Sequence, residues 1–275
     1  MRYIVVTDLD GTLLDHHTYD FTAAREAIAQ LQQQNIPLIL NSSKTQAEIF
    51  DIRQQLDNKE PFVCENGGIL CIPNTSSDRL QIKHFGIPKE QFLDTLSKIK
   101  RELQLNYESF SNATVEDVVR WTGLAPSDAR KAMKREATEP LLWHDTEEAL
   151  AKFKERLRPL QLQCVRGGRF HHVMGTFHKA SCFAQLREYY GSRWQEEVAI
   201  AALGDSQNDL QMLEDASFAI VIPSPKGIKI KLERDDTFYA TQIAPDGWQE
   251  GIDYFLNRIR VVEASRSEMI VKHDS

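Results

Sequence analysis

Short apolar runs alternate with longer segments of helical period along much of the chain. Tyr3–Thr7 is apolar, β-branched and free of charge, which predicts a buried strand, and Thr22–Gln34 carries apolar residues at helical spacing. Pro37–Leu40 predicts a second strand. Thr45 followed by Glu48 has capping-box spacing, so a helix is expected from there through Leu56. Phe62–Cys64 predicts a third strand, after which Gly67-Gly68 turns the chain toward Ile69–Ile72. Alternation of this kind builds βαβ units around a parallel sheet.

The pattern changes in the middle. Lys89–Leu103 predicts a long amphipathic helix, and Ala125-Pro126 opens a short one ending near Arg135, proline being suited to a first helical position. Leu141–Trp143 reads as a strand and Thr146–Leu157 as a helix. Leu160–Val165 and Phe170–Met174 read as strands around the Gly167-Gly168 turn. The earlier alternation then resumes: a helix from Lys179, strand Val198–Leu203, helix Asp209–Ala216 and strand Phe218–Val221. A last helix is expected from Gly247 to about Ile259, with the polar end Val261–Ser275 frayed. No internal repeat is present. The expected architecture is one α/β core, residues 1–84 and 176–275, interrupted by an inserted α+β domain over residues 85–175.

Composition narrows the classes. A chain of 275 residues with 41% apolar and 27% charged positions is an ordinary globular protein with room for a sizeable core. A net charge of −7 speaks against broad attraction to nucleic acid or to an anionic membrane. An acidic protein that handles an anion must gather positive charge locally or borrow it from a metal. The four cysteines, Cys64, Cys71, Cys164 and Cys182, lack CxxC spacing and read as buried thiols of a reducing compartment. The run Tyr3–Val6 is too short for a signal peptide, and no stretch approaches membrane-spanning length, so a cytosolic location is expected.

The strongest local chemistry is Asp8-Leu9-Asp10-Gly11-Thr12, directly after the first strand. Ligands of open α/β sheets bind at the carboxyl ends of strands, which is where both aspartates fall. Residues i and i+2 of a strand share a face, and Gly11 permits a sharp departure. Gly204-Asp205-Ser206-Gln207-Asn208-Asp209 repeats the placement after Val198–Leu203. Carboxylates held close repel unless a divalent cation intervenes, and oxygen-only ligands suit Mg²⁺, while no cysteine or histidine spacing suggests zinc. The structural alternative is that these aspartates only close turns and cap helices.

Asp8-x-Asp10-Gly11-Thr12, Ser42, Lys179 and Gly204-Asp205-x-x-Asn208-Asp209 together resemble the four-motif series of the haloacid dehalogenase-like phosphatase superfamily. The resemblance implies a Rossmann-like parallel-sheet core and makes residues 85–175 a cap. It implies Asp8 as nucleophile, forming an aspartyl-phosphate, and Asp10 as acid and then base. Mg²⁺ would be held by the Asp8 carboxylate, the Asp10 backbone carbonyl and Asp205, with Asp209 and Asn208 as an outer ligand or as orienting groups. Ser42 or Ser43 would donate to the phosphoryl group, unless these hydroxyls only cap the following helix. Lys179 would supply fixed positive charge, against the alternative of a solvent-facing lysine. The sequence departs from the superfamily in having Ser42-Ser43-Lys44 where threonine and then Gly-Arg are common, and Ala180 where glycine often follows the lysine.

Further stretches are similar to the mannosyl-3-phosphoglycerate phosphatase family: Asn41–Thr45, Glu65-Asn66-Gly67-Gly68, Trp121–Leu124, Arg135–Pro140 and Arg166–His172. This implies a phosphorylated sugar-glycerate as substrate and mannosylglycerate plus phosphate as products. Arg166 and Arg169 would clamp the glycerate carboxylate, and His172 would bond a sugar hydroxyl, with His171 facing the other side. Lys44 would meet phosphate or carboxylate, and Glu65 and Asn66 would bind hydroxyls or shape the rim. Arg166 and Arg169 as solvated residues of a hairpin are the structural alternative. Competing functions are another sugar phosphatase (glucosyl-3-phosphoglycerate or a disaccharide phosphate), a phosphomutase, and a non-catalytic phosphosugar-binding protein.

Overall fold

The computed structural model describes residues 1–74, 79–234 and 236–273. The chain divides into two compact units, Met1–Leu38 with Trp194–Ser275, and Ile39–Arg193. The first unit opens with β1 (Arg2–Thr7) and α1 (Arg25–Gln33), and β2 (Leu38–Asn41) leads into the second. There follow α2 (Gln46–Gln55), β3 (Phe62–Cys64), β4 (Ile69–Pro73), β5 (Leu80–His84), α3 (Glu90–Glu102) and β6 (Tyr107–Ser109). Next come α4 (Val115–Thr122), α5 (Pro126–Ala132), β7 (Thr138–Trp143), α6 (Glu147–Leu157), β8 (Leu162–Arg166), β9 (His171–Gly175) and α7 (Phe183–Trp194). The chain then adds β10 (Val198–Gly204), α8 (Leu210–Asp215), β11 (Phe218–Val221), β12 (Thr237–Tyr239) and α9 (Asp246–His273) to the first unit.

In the first unit the strands run β12-β11-β10-β1, all parallel. Parallel strands covered on both faces read as near-continuous apolar runs, and Ile4–Val6, Ile200–Leu203 and Ala219–Val221 are accordingly fully buried. Trp248, Ile252, Phe255 and Leu256 of α9 are buried, as are Ala27 and Leu31 of α1. The register sets Thr7 of β1 beside Leu203 of β10, so the residues that follow both strands emerge side by side.

In the second unit β2 and β3 are parallel, and β3, β4 and β5 form antiparallel hairpins. A separate antiparallel sheet, β6-β7-β9-β8, lies within residues 85–175. Leu141 joins a cluster with Phe92, Leu96 and Ile99 of α3 and Leu150, Phe153 and Leu157 of α6. The next residue, Leu142, packs with Phe110, Val118 and Trp121, the alternation of a strand placing α3 and α6 against one face and α4 and α5 against the other. Among the described residues, no helix is long and apolar enough to cross a membrane.

Most expected elements are present within a residue or two, including the Thr45–Glu48 capping box. Four elements lacked an expectation. β5 alternates only two apolar residues, Leu80 and Ile82, with polar ones and is largely exposed, and β6 and β12 have three residues each. α4 carries a legible signature, a Thr114–Asp117 capping box closed by Gly123 in the left-handed conformation. The last helix does not stop near Ile259 but runs to His273, because residues 260–273 hold neither glycine nor proline. Of the end expected to fray, Val261–Ser275, residues 261–273 are helical, and Asp274 and Ser275 lie outside the described residues.

Gly67 is held by both conformation and space. Its φ is +94°, and a Cβ there would overlap the carbonyl oxygen of His178. Gly168 has open space around it. Gly67→Ala should therefore lower stability by at least about 2 kcal/mol, and Gly168→Ala by less than about 0.5 kcal/mol, in urea denaturation. Equal effects would show that the turn relaxes freely.

Candidate active site

The carboxyl ends of β1 and β10 bring three acids together. The Asp8 amide donates to the Leu203 carbonyl (3.0 Å), continuing the pairing of the two strands. Asp8, Asp205 and Asp209 each present a carboxylate oxygen within 4.8 Å of the others, and all three residues are buried. Local geometry holds them there. Asp209 Oδ2 accepts from the amides of Asp205 (3.1 Å) and Ser206 (3.0 Å). Gly204 makes this possible, since a Cβ would lie 2.5 Å from Asp209 Cβ. Gly11, at φ +81°, passes so close that a Cβ would stand 3.2 Å from Asp205 Oδ2. Behind Asp8, Trp248 Nε1 donates to Thr7 Oγ1 (2.9 Å), and Thr7 Oγ1 donates to the Asp8 carbonyl (2.8 Å).

Such a cluster is electrostatically costly. Burial raises the Asp205 carboxyl above its ordinary range and the Asp209 charge adds to this, while Lys229, 2.7 Å from Asp205 Oδ2, opposes both. The other oxygen, Asp205 Oδ1, is buried and has no hydrogen-bond partner among the described residues. Three hard oxygen donors with one left over fit a divalent cation of the Mg²⁺ or Ca²⁺ type. Asp10, half-buried, stands two residues beyond Asp8, where the backbone bridges to Leu14. Asn208, also half-buried, accepts from Ser206 Oγ through its Oδ1 (2.7 Å).

Within the second unit, a group of expected site residues gathers at the carboxyl ends of β2 and β3. The amide of Ser42 donates to Val63, that of Asn66 to the Ser42 carbonyl and that of Glu65 to the Lys44 carbonyl, at 2.9–3.0 Å. Asn41 Nδ2 donates to the Lys179 carbonyl (2.8 Å). Ser42 is fully buried, and Ser43 and Lys44 are partly so. Lys179 is 0% exposed, which removes the reading of a solvent-facing lysine.

Glu65 and Asn66 both have left-handed backbones, at φ +52° and +60°. That is ordinary for asparagine and unfavourable for glutamate. The Glu65 side chain offsets the strain. Its carboxylate accepts from the amides of Glu136 (2.8 Å), Ala137 (3.1 Å) and Thr138 (2.8 Å) and from Thr138 Oγ1 (2.7 Å). Glu65 thereby ties the turn after β3 to residues 136–138. Arg166 and Arg169 are exposed, and their side chains make no hydrogen bond among the described residues. His172 is buried on β9 opposite Pro140, and His171 lies against Trp143 on the other face.

Residues 5–224 match the family described as haloacid dehalogenase-like hydrolase. The chain belongs to the haloacid dehalogenase-like hydrolases. A protein of Methanococcoides burtonii named glucosyl-3-phosphoglycerate/mannosyl-3-phosphoglycerate phosphatase is 35% identical over 263 residues, 92% of this chain and 96% of that protein. Solved haloacid dehalogenase-like hydrolases share the fold at lower identity. The one from Bacteroides thetaiotaomicron has a TM-score of 0.65 at 20% identity, over 93% of this chain and 100% of its own. The one from B. subtilis has a TM-score of 0.65 at 19% identity, over 94% and 99%.

In this haloacid dehalogenase-like hydrolase, the residue that sequence reasoning passed over is Arg135. It is nearly buried, and it donates to the carbonyls of Ala132 (Nε, 3.0 Å) and Ser43 (Nη1, 3.1 Å) and to Thr138 Oγ1 (Nη1, 2.9 Å). Its membership of the Arg135–Pro140 stretch was the available signal; its burial was not readable, since arginine is usually a surface residue. Lys229 was missed likewise, in a stretch, Lys226–Lys231, where alternate lysines read as solvated.

Burial, with the Arg135 and His171 charges adding to it, pushes His172 down to about 3. The unfolded chain takes a proton at this histidine near pH 6.5, whereas the folded one stays neutral until about pH 3, so stability falls as pH drops through that window. Between pH 6.5 and 5 the loss from this one group should be about 2 kcal/mol. Urea denaturation of wild type and His172→Gln at pH 7 and 5 checks it. The wild type should lose about that much more than the variant, and equal losses would mean that the buried imidazole accepts a proton in the folded state.

Proposed function

We propose that this hydrolase is a Mg²⁺-dependent phosphatase that cleaves a sugar-glycerate phosphate monoester, first of all mannosyl-3-phosphoglycerate, to mannosylglycerate and phosphate. Glucosyl-3-phosphoglycerate is the neighbouring alternative, and the name of the Methanococcoides burtonii relative covers both sugars. The observation that carries the reading is the buried Asp8–Asp205–Asp209 cluster following two adjacent strands. Turn-closing or helix-capping aspartates have no need to collect in one buried place, where each raises the cost of the others. A cytoplasmic location goes with this reading.

Asp8, Asp205 and the Asp10 carbonyl, with Asp209 as outer ligand, would hold the ion, which when bound supplies positive charge between the nucleophile and the phosphate oxygens. The Asp8 carboxylate attacks phosphorus in line, and the P–O bond to the sugar-glycerate breaks as an aspartyl-phosphate forms. Asp10 gives its proton to the departing alkoxide, then takes one from the water that cleaves the acyl phosphate and restores Asp8. Ser42, with Ser43 as the alternative donor, bonds the transferring phosphoryl group, and Lys179 offsets its charge. Lys44, Asn66 and Asn208 would help bind the substrate. Residues 85–175 act as the cap, whose exposed Arg166 and Arg169 and buried His172 take part in selecting the organic half of the ester. Glu65 contributes by holding residues 136–138.

Phosphate release across a panel of sugar phosphates, with and without a chelator, tests the reading. Mannosyl- and glucosyl-3-phosphoglycerate should be preferred, and chelation should abolish turnover. Asp8→Asn should reduce turnover by at least about a thousandfold. Its metal-free thermal midpoint should equal or exceed that of wild type, because one of three mutually repelling charges is gone. Substantial metal-dependent turnover in that variant would sink the nucleophile assignment.

A further inference from the structure

Arg135 and His172 belong to one face of the antiparallel sheet in the second unit. Thr138, which accepts from Arg135, and Pro140, which pairs with His172, are alternate residues of β7 and share a side. Phe110 lies on that side too, its ring centroid 5.8 Å from the Arg135 guanidinium carbon. Two features single the pair out. His172 is 7% exposed, and its Nδ1 is buried with no hydrogen-bond partner among the described residues. Arg135 is 9% exposed, and no carboxylate of the described residues bonds it directly; Glu65 reaches it only through the Thr138 hydroxyl. Its Nε and Nη1 are used, while Nη2 donates to none of the described residues. A buried cation short of an anionic partner, beside a buried and unsatisfied imidazole nitrogen, is an expensive arrangement for a purely structural corner.

We propose that Arg135 and His172 form a carboxylate-binding subsite for phosphate esters that carry a carboxylate on the same short carbon chain. The inference rests on the phosphatase reading for which ester is meant, and it moves recognition of the carboxylate from the exposed Arg166 and Arg169 to a buried guanidinium. Exposed pairs are screened by water and discriminate weakly, whereas a desolvated charge-assisted bond discriminates strongly. Arg135 Nη2 donates to one carboxylate oxygen, and the neutral His172, in its Nδ1–H form, donates to the same group. The location suits the chemistry. Arg135 Nη1 holds the carbonyl of Ser43, so a carboxylate received here stands beside the Ser42–Lys44 loop. A glycerate phosphate has its carboxylate and phosphate at opposite ends of three carbons, a separation of the same small scale.

The test compares two ligands that differ by this one group, 3-phosphoglycerate and glycerol 3-phosphate. They are titrated calorimetrically into the full-length Asp8→Asn protein with Mg²⁺, with and without Arg135→Met. The parent should bind 3-phosphoglycerate about 10- to 100-fold more tightly, the contrast expected of a buried charged hydrogen bond. Arg135→Met should bring the ratio of the two affinities near one. His172→Phe, which leaves Arg135 in place, should cut the ratio by at least about threefold and carries the test if Arg135→Met does not fold. No preference in the parent, or a preference that survives both substitutions, overturns the subsite. So does equal weakening of both ligands by Arg135→Met, which would make Arg135 merely a support for the Ser43 loop. Because titration requires no turnover, a protein that binds with this preference but releases no phosphate would lose the phosphatase reading and keep the subsite.

Discussion

Three carboxylates buried within a few ångströms of one another are the constraint on which the first unit is organised. Bringing them together costs free energy twice, through desolvation and through mutual repulsion, and Asp205 shows both. The surroundings are built to bear that cost. The Asp205 and Ser206 amides stabilise the Asp209 carboxylate, Lys229 stabilises Asp205, and the Trp248–Thr7 hydrogen bonds fix the backbone of Asp8. Gly11 and Gly204 stand at the points where a side chain would push the acids apart. The parallel β1–β10 register makes all this possible, because it ends both strands at the same level.

In the second unit the corresponding device is a strained turn. Three consecutive residues, Glu65, Asn66 and Gly67, adopt positive φ. The turn persists because the surroundings over-determine it: Glu65 is gripped by four donors from residues 136–138, and the Asn66 and Glu65 amides are tied to Ser42 and Lys44. Gly67 then lies against His178, next to the fully buried Lys179. Further hydrogen bonds join the same parts, Thr45 Oγ1 to the Lys131 carbonyl (2.9 Å) and Arg135 to the Ser43 carbonyl, while Lys131 pairs with Asp51. A loop proposed to bind phosphate is thus positioned by backbone and side-chain bonds from several directions, the condition under which a binding group keeps its geometry without help from the ligand.

An acidic protein of net charge −7 has to concentrate its positive charge where an anion is handled. Lys179, at 0% exposure, and Arg135, at 9%, are examples of cations taken almost out of water. A charge left in water is screened and discriminates less among anions. Burial makes a charge both expensive and selective, and that is why the choice among anionic esters is better sought at Arg135 and His172 than at the hairpin arginines.

The alternation of apolar strands with helical segments, the two aspartate motifs directly after strands, and the capping box at Thr45 were all legible along the chain. They are local properties, set by period, by turn chemistry and by residues a few positions apart. So the α/β class, the haloacid dehalogenase-like family and the acids at the ends of β1 and β10 could be named without coordinates. Short or polar pieces such as β5, β6 and β12 could not, because they are strands only by virtue of a neighbour's hydrogen bonds. Nor could the division of labour among charged residues. Glu65 turned out to grip residues 136–138, Lys229 to sit on Asp205, Arg135 to be buried and Arg166 and Arg169 to be exposed. Each of these depends on which backbone groups and which charges tertiary packing brings alongside, and desolvation, which decides what a charge is worth, exists only once the chain has folded around it.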